Sequence, residues 1–342
     1  MTSSSTSSRG RGLLHLAAAV DLPGVHDIGP HVELARLAER GGLDFVTLDD
    51  SFARPGPHAS AVLAQVAPAT HRVGLVPTLT TTPTEPFDVQ ATIATLDRVS
   101  RGRAGWRIDV STTQAGEVAD AVAKSWGSWE DDAETGEVPT GRLIDRDKPP
   151  QVGFTASTFS VRGPSSSVPR PSRGHPVRVI DATEGHARST AARHADVALV
   201  RATSSAQARA VRDQLRSDAA GFGRDPNSLR VLASLLIDLG DGEHAAEPGH
   251  GGGGPRPTAQ GPLYRGGPVD LADLIASWHQ DGTVDGFHLT PVEPRRDLER
   301  LVNGTVGLLQ HRGLFRTFYP GSTLREHLGL TRPAHQYVGG AP

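Results

Sequence analysis

Cysteine is absent from all 342 residues. Disulfides, thiolate metal sites and a cysteine nucleophile are therefore excluded, and the absence fits a cytoplasmic protein. None of the 15 histidines forms an H-x-H or H-E-x-x-H pair, so no metal site is expected. A long apolar run is missing too: the stretch near "LLHLAAAVDL" is far too short to span a bilayer. The opening "MTSSSTSSRGRG" has no apolar core of the kind a signal peptide needs, and residues 1–12 read as a disordered tail. Neither sign of charge dominates, at a net −3, so neither nucleic acid nor an anionic membrane is an expected partner. Lysine is scarce beside arginine, while Gly stands at 39 and Pro at 26. That reads as a coding bias before it reads as structure.

What is present is an alternation. "LLHLAAAV" (13–20) is a candidate strand, and "HVELARLAER" (31–40) carries apolar residues at helical spacing before Gly41-Gly42 stops it. Strands follow at 44–50, 72–80 and 103–111, with helices at 59–70, 84–100 and 116–129. Residues 130–175 break the rhythm with charged turns, a Pro-rich segment and a possible hairpin around "FTASTFSVRG". It resumes with strands at 176–182, 196–202, 229–240 and 284–291, and helices at 183–195, 204–223, 268–282 and 295–313. The Gly/His/Pro-rich stretch 243–262 reads as a low-complexity loop. Eight strand–helix units imply a parallel sheet with right-handed crossovers, and eight favour a closed (β/α)8 TIM barrel with shortened insertions. A doubly wound sheet is the alternative, but no G-x-G-x-x-G follows the first strand. The domain reading is one barrel over 13–335, irregular at 130–175 and 241–267, with a tail at 336–342.

One strand poses a question. In "RAGWRIDVST" (103–112), Arg107, Asp109 and Ser111 share one face, and Ile108 and Val110 the other. A cation, an anion and a hydroxyl in a row mean either an exposed face or an inward polar site. A barrel favours the second, because one face of every strand points into the lumen and catalytic groups gather at the C-terminal strand ends.

Several stretches resemble the bacterial luciferase-like, flavin-dependent monooxygenases, in the branch that includes nitrilotriacetate and dibenzothiophene-sulfone monooxygenases. They are "ELARLAERGGLDFVTLDD" (33–50), "RVGLVPTLTTTPTEPFDVQATIATLDRVSRGRAGW" (72–106), "GRDPNSLRVL" (223–232) and "VDGFHLTPVEP…LLQHRGLFRTFYPGSTLREHLGL" (284–330). The resemblance covers most of 13–335. It implies a TIM barrel, a small organic substrate and oxygen activation with reduced FMN, or with a deazaflavin in some branches. A separate flavin reductase is the implied partner of two-component members.

The resemblance also implies site residues. Asp49 closes the second strand beside the flavin ring, and Asp50 caps the loop. Thr78 and Thr80 end the third strand, where hydroxyls approach the ring. Asp109 and Ser111 line the flavin pocket, with Arg107 a layer deeper, where the family stretch usually carries Asn; Arg107 and Asp109 are expected to pair. Thr183, Gly185 and His186 match the turn that holds the FMN phosphate, and a helix N-terminus suits a phosphate on physical grounds. His26, after the first strand, and His288, at the end of the eighth, are the catalytic acid–base candidates.

Two segments depart from the family pattern. "STTQAGEVADAV" passes almost directly into the next helix, and a Gly/His/Pro loop replaces the helical insertion after the seventh strand. A catalytically weakened flavin- or metabolite-binding relative therefore stays open beside the monooxygenase, as does a deazaflavin-dependent oxidoreductase. A homodimer is expected, with Val62, Leu63, Val66, Ile93 and Leu96, or the segment holding Leu314, Phe315, Phe318 and Tyr319, as interface material.

Overall fold

The computed structural model describes residues 12–50, 57–79, 86–108, 115–127, 134–137, 142–144, 151–155, 160–164, 171, 174–183, 185–240 and 254–331. Eight strands form the barrel: β1 (His15–Ala19), β2 (Phe45–Leu48), β3 (Gly74–Leu79), β4 (Gly105–Ile108), β5 (Val177–Asp181), β6 (Val197–Val200), β7 (Arg230–Asp238) and β8 (Gly286–Pro291). Each is parallel to its neighbours, β1 pairs with β8, and β6 pairs with β7, so the sheet closes. The helices between them are α1 (Ile28–Arg40), α2 (Ala59–Val66), α3 (Pro86–Ser100), α4 (Ala115–Gly127), α5 (Gly185–His194), α6 (Ser205–Gly221), α7 (Pro268–Gln280) and α8 (Pro294–Arg300). This is the (β/α)8 TIM barrel that the alternation implied.

Local chemistry explains the boundaries. Asp27 caps α1 by accepting from the Gly29 amide, and Gly42 leaves the helix at φ +72. Strands such as "FVTL" and "VALV" are buried at every position, as strands covered on both faces must be. Outward side chains of β1 and β2 pack on α1 and α2, and those of β4 to β6 on α3 to α6.

Inward side chains fill the lower lumen. Ala17, Phe45, Val76, Val177, Val179, Val197, Leu199 and Leu232 form one apolar cluster, which Leu324 and Leu328 from the C-terminal segment join from below. Two glycines make room for the plug. A Cβ on Gly74 would lie 2.7 Å from Leu324 Cδ1, and one on Gly105 3.2 Å from Leu324 Cδ2.

Three sequence expectations change here. The loop reading of 243–262 misses a hairpin, Arg256–Thr258 with Gly261–Arg265, whose second strand lies parallel to the end of β7. Only Pro262 and Tyr264 are buried in that strand, so its period-2 signal is too short to stand out among Gly and Pro. The single helix expected at 295–313 is α8, then a π turn over Leu301–Val306, then a further helical turn. Thr305 Oγ1 donates to Pro268 O at 2.8 Å, and a Cβ on Gly304 would meet Pro268 at 2.6 Å, so close docking on α7 accompanies the wider turn. The interface candidates Val62, Leu63, Val66, Ile93 and Leu96 are all buried within the chain's own core. Phe315 is buried as well, and Tyr319 donates to Leu43 O at 2.8 Å; Phe318 alone of the three aromatics is largely exposed, at 78%. The hairpin expected around "FTASTFSVRG" is present as Gln151–Thr155 with Ser160–Pro164.

Leu324→Ala is expected to destabilise the protein by about 2–5 kcal/mol, because the emptied plug position cannot collapse against two glycine backbones. Urea unfolding measures it, and a loss below about 1 kcal/mol would show that the lumen does not depend on the plug.

Candidate active site

Above the apolar layer the lumen turns polar. The same alternation that buries Ala17, Phe45 and Val179 sends the next inward residues, Ala19, Thr47 and Asp181, into a cavity at the C-terminal mouth. Its volume is about 360 Å³, and Arg107, Arg201, Ser234, Leu236, His288 and Thr290 also line it. Gln260, Gly261 and Pro262, from the turn of the extra hairpin, complete the wall beside Arg201.

His288 forms part of the floor. Its ring stacks on Phe45 with centroids 6.5 Å apart. Nε2 shares a 2.8 Å hydrogen bond with Thr47 Oγ1, and Nδ1 lies 3.5 Å from Ser234 Oγ. Burial, reinforced by the Arg107 and Arg201 guanidiniums and opposed by Asp181, pushes its pKa down to about 3. The imidazole is therefore neutral near pH 7, and suits hydrogen bonding better than proton storage.

Asp181 organises the charged wall. Oδ1 accepts from the Thr183 amide at 3.1 Å and from the Thr183 hydroxyl. Oδ2 takes Arg201 Nη2 at 3.0 Å and faces Arg107 Nη2 at 3.8 Å. On its other side Arg107 Nη1 lies 3.9 Å from Asp49 Oδ1. The partners of Arg107 thus come from the ends of β2 and β5, whereas Asp109, the partner expected from sequence, lies outside the described residues. Arg107 does face inward, which answers the question its strand posed.

The other candidates divide. Thr78 is buried on the inward parity of β3, opposite Arg107 in register, and its hydroxyl has no hydrogen-bond partner among the described residues. Asp49 stands half-exposed on the rim. Thr183 spends its amide and hydroxyl on Asp181, while Gly185 and His186 are exposed at the start of α5. The Arg188 guanidinium lies over that turn, 3.3 Å from both Ala182 O and Thr183 O. His26 is exposed in the loop after β1 and does not line the cavity. Thr80 and Ser111 lie outside the described residues. Sequence reasoning missed Thr47, Arg201 and Ser234. The signal was there: each is a polar residue on the inward parity of, or just past, an apolar strand.

The luciferase-like monooxygenase family model matches residues 4–250. The chain belongs to that family. It is 29% identical to N-acetyl-S-(2-succino)cysteine monooxygenase of Bacillus subtilis (strain 168), over 90% of each chain. It is equally 29% identical to nitrilotriacetate monooxygenase component A of Aminobacter aminovorans, over 90% of this chain and 91% of that one. Among solved structures it resembles the EDTA monooxygenase EmoA from Chelativorans sp. BNC1, with a TM-score of 0.77 at 20% identity, covering 94% of this chain and 99% of that one. The alignment to the Bacillus protein runs over 400 positions, more than the 342 residues here, so that relative carries segments this chain lacks.

The family is flavin-dependent, and the described lining fits a flavin. The cavity falls in the range of roughly 300–1,000 Å³ usual for small-molecule sites. Thr78, opposite Arg107 in the sheet, has a buried hydroxyl with no hydrogen-bond partner among the described residues, and Ser234, His288 and Thr290 on the cavity wall add groups that can pair with the polar edge of a flavin ring.

His288 carries a pH signature. Its folded pKa, about 3, lies below the unfolded value of about 6.5. The unfolded chain therefore binds the proton first; the contribution is complete above about pH 6.5 and is lost as pH falls toward 3. Between pH 6.5 and 5 the wild type is expected to lose about 2 kcal/mol that His288→Asn keeps, read from urea midpoints of both proteins. Parallel pH profiles would show that His288 is not buried as a neutral ring.

Proposed function

We propose that this chain is the oxygenase of a two-component flavin-dependent monooxygenase, acting on a small organic molecule with reduced FMN delivered by a separate reductase. The observation that carries the reading is the polar, one-ended lumen of a luciferase-like barrel, with neutral His288 and cationic Arg107 on one cavity. A bound reduced FMN would supply the oxygen-activating chemistry, and the two electrons by which one oxygen atom enters the substrate and the other leaves as water. The protein's part is to bind, orient and exclude water. Thr78 and His288 present hydrogen-bonding groups to the ring from the strand ends, and Asp49 stands at the rim. Gly185 and His186 offer the start of α5, with Arg188 beside it, to the phosphate. Thr183 holds that turn to Asp181. The relatives' names cover nitrilotriacetate, dibenzothiophene sulfone, dimethyl sulfide and long-chain alkanes, so family membership leaves the substrate open.

The segments missing against the Bacillus relative favour a second reading, a protein that binds flavin or a metabolite without turnover. Oxygen uptake with reduced FMN and candidate substrates separates the two. A titration with a deazaflavin tests the remaining oxidoreductase alternative. No helix among the described residues is long and apolar enough to cross a membrane. The cysteine-free composition is what supports a cytoplasmic setting. A homodimer would draw on Phe318 rather than on the buried α2 and α3 residues, and light scattering at the monomer mass would exclude it.

Two titrations test the cofactor. Anaerobic reduced FMN is expected to bind more tightly than oxidised FMN, and equal affinities would count against reductase-fed catalysis. Gly185→Glu is expected to weaken FMN at least tenfold while leaving riboflavin within about twofold, because the new carboxylate repels a phosphate at the helix start. The space around Gly185 is open, so the variant is expected to fold. An equal loss for both ligands would move the phosphate elsewhere.

A further inference from the structure

We propose that Arg107 and Arg201 form a two-guanidinium receptor for a carboxylate on the substrate. This rests on the reading of the cavity as the oxygenase site. The two side chains converge on a single atom: Arg201 Nη2 at 3.0 Å and Arg107 Nη2 at 3.8 Å both approach Asp181 Oδ2. Asp181 thus holds two like charges side by side in one wall of the cavity.

Among the described residues the donors outnumber the acceptors that use them. Each guanidinium carries five N–H groups. Arg201 commits one nitrogen to Asp181, and Arg107 reaches described carboxylate oxygens only at 3.8 and 3.9 Å, beyond hydrogen-bond distance. The acids nearby are largely engaged. Asp181 Oδ1 is held by Thr183, and Asp21 accepts the Asp49 amide at 2.7 Å. Asp49 is half-exposed and screened by solvent. A planar group with two acceptor oxygens is what two adjacent forks bind best, and Arg is the residue suited to it. Both guanidiniums also act on His288 on the floor, so their positive field reaches the interior of the cavity. A substrate anchored there by its carboxylate would keep its uncharged end toward the floor.

Citrate and its neutral trimethyl ester are the probes, titrated calorimetrically into the full-length protein without flavin. Citrate is expected to bind and the ester not. Arg201→Gln is expected to weaken citrate at least tenfold, and Arg201→Lys to fall between, because it keeps the charge and loses the fork. Arg265→Gln, at the far end of the hairpin strand and paired with Asp238, should bind citrate like wild type. Equal binding of citrate and ester, or unchanged citrate binding in a natively folded Arg201→Gln and Arg107→Gln pair, would overturn the proposal. Saturating reduced FMN, added anaerobically, should leave citrate binding in place. Loss of citrate binding on adding FMN would assign the guanidiniums to the cofactor and overturn the substrate assignment. Citrate binding without any FMN binding would instead sink the flavin reading and leave the carboxylate receptor standing.

Discussion

Leu324 enters the barrel from below between Gly74 and Gly105, and the space above it is closed by Phe45, Val76 and Val179. Water and charge are thereby shut out of the lower lumen. The apolar cluster packed there leaves the upper cavity as the place where inward polar side chains gather. Every later feature of the site follows from that one-sided filling. His288 is the first polar group above the apolar layer on β8, and its neutrality is the electrostatic consequence of sitting at that boundary.

Buried charges occur at both ends of the barrel, and they are handled differently. At the lower end Asp44 is fully buried and accepts from the Leu16 amide, His15 and Arg316. Burial alone would raise its pKa, yet His15 and Arg316 hold it below the usual carboxylate value. Asp196 is held down in the same way against burial by Arg325 and Arg178. Arg103, also buried, donates to Ser100, Thr70, Val73 and Ala67. These networks tie the C-terminal segment and the strand starts together, with Arg316 Nη1 left without a hydrogen-bond partner among the described residues. At the upper end Arg107 lies between two carboxylates at distances too long for hydrogen bonds. Long contacts leave a charged group available to a ligand, and close hydrogen bonds fix a scaffold.

Some of the site was legible residue by residue. Arg107 faces inward because Trp106 and Ile108 must cover the outside of β4, and that parity could be read from the sequence alone. Thr78 comes from the family resemblance and His288 from its place at a strand end, not from this rule. It could not say that Thr183 would turn to Asp181, since a threonine two residues after an aspartate can serve either a local turn or a ligand. Nor could it place His26, whose loop carries no periodicity. The hairpin beside β7 was hidden because a strand with two buried side chains leaves too weak a pattern to separate from a Gly/Pro-rich loop.

The sequence by itself pointed to the architecture: eight apolar strand runs, each followed by an amphipathic helix, call for a parallel sheet covered by helices, and the count of eight favours closing it into a barrel. It also determined, through the period of two, which strand residues face the lumen. Which of those residues meet was decided by tertiary structure alone. Asp49, Arg107, Asp181 and Arg201 lie at or just past the ends of four different strands, and only the closure and stagger of the sheet bring them together on one cavity. Charge pairing and the pKa of His288 depend on those distances and on burial, and neither is a property of any segment taken by itself.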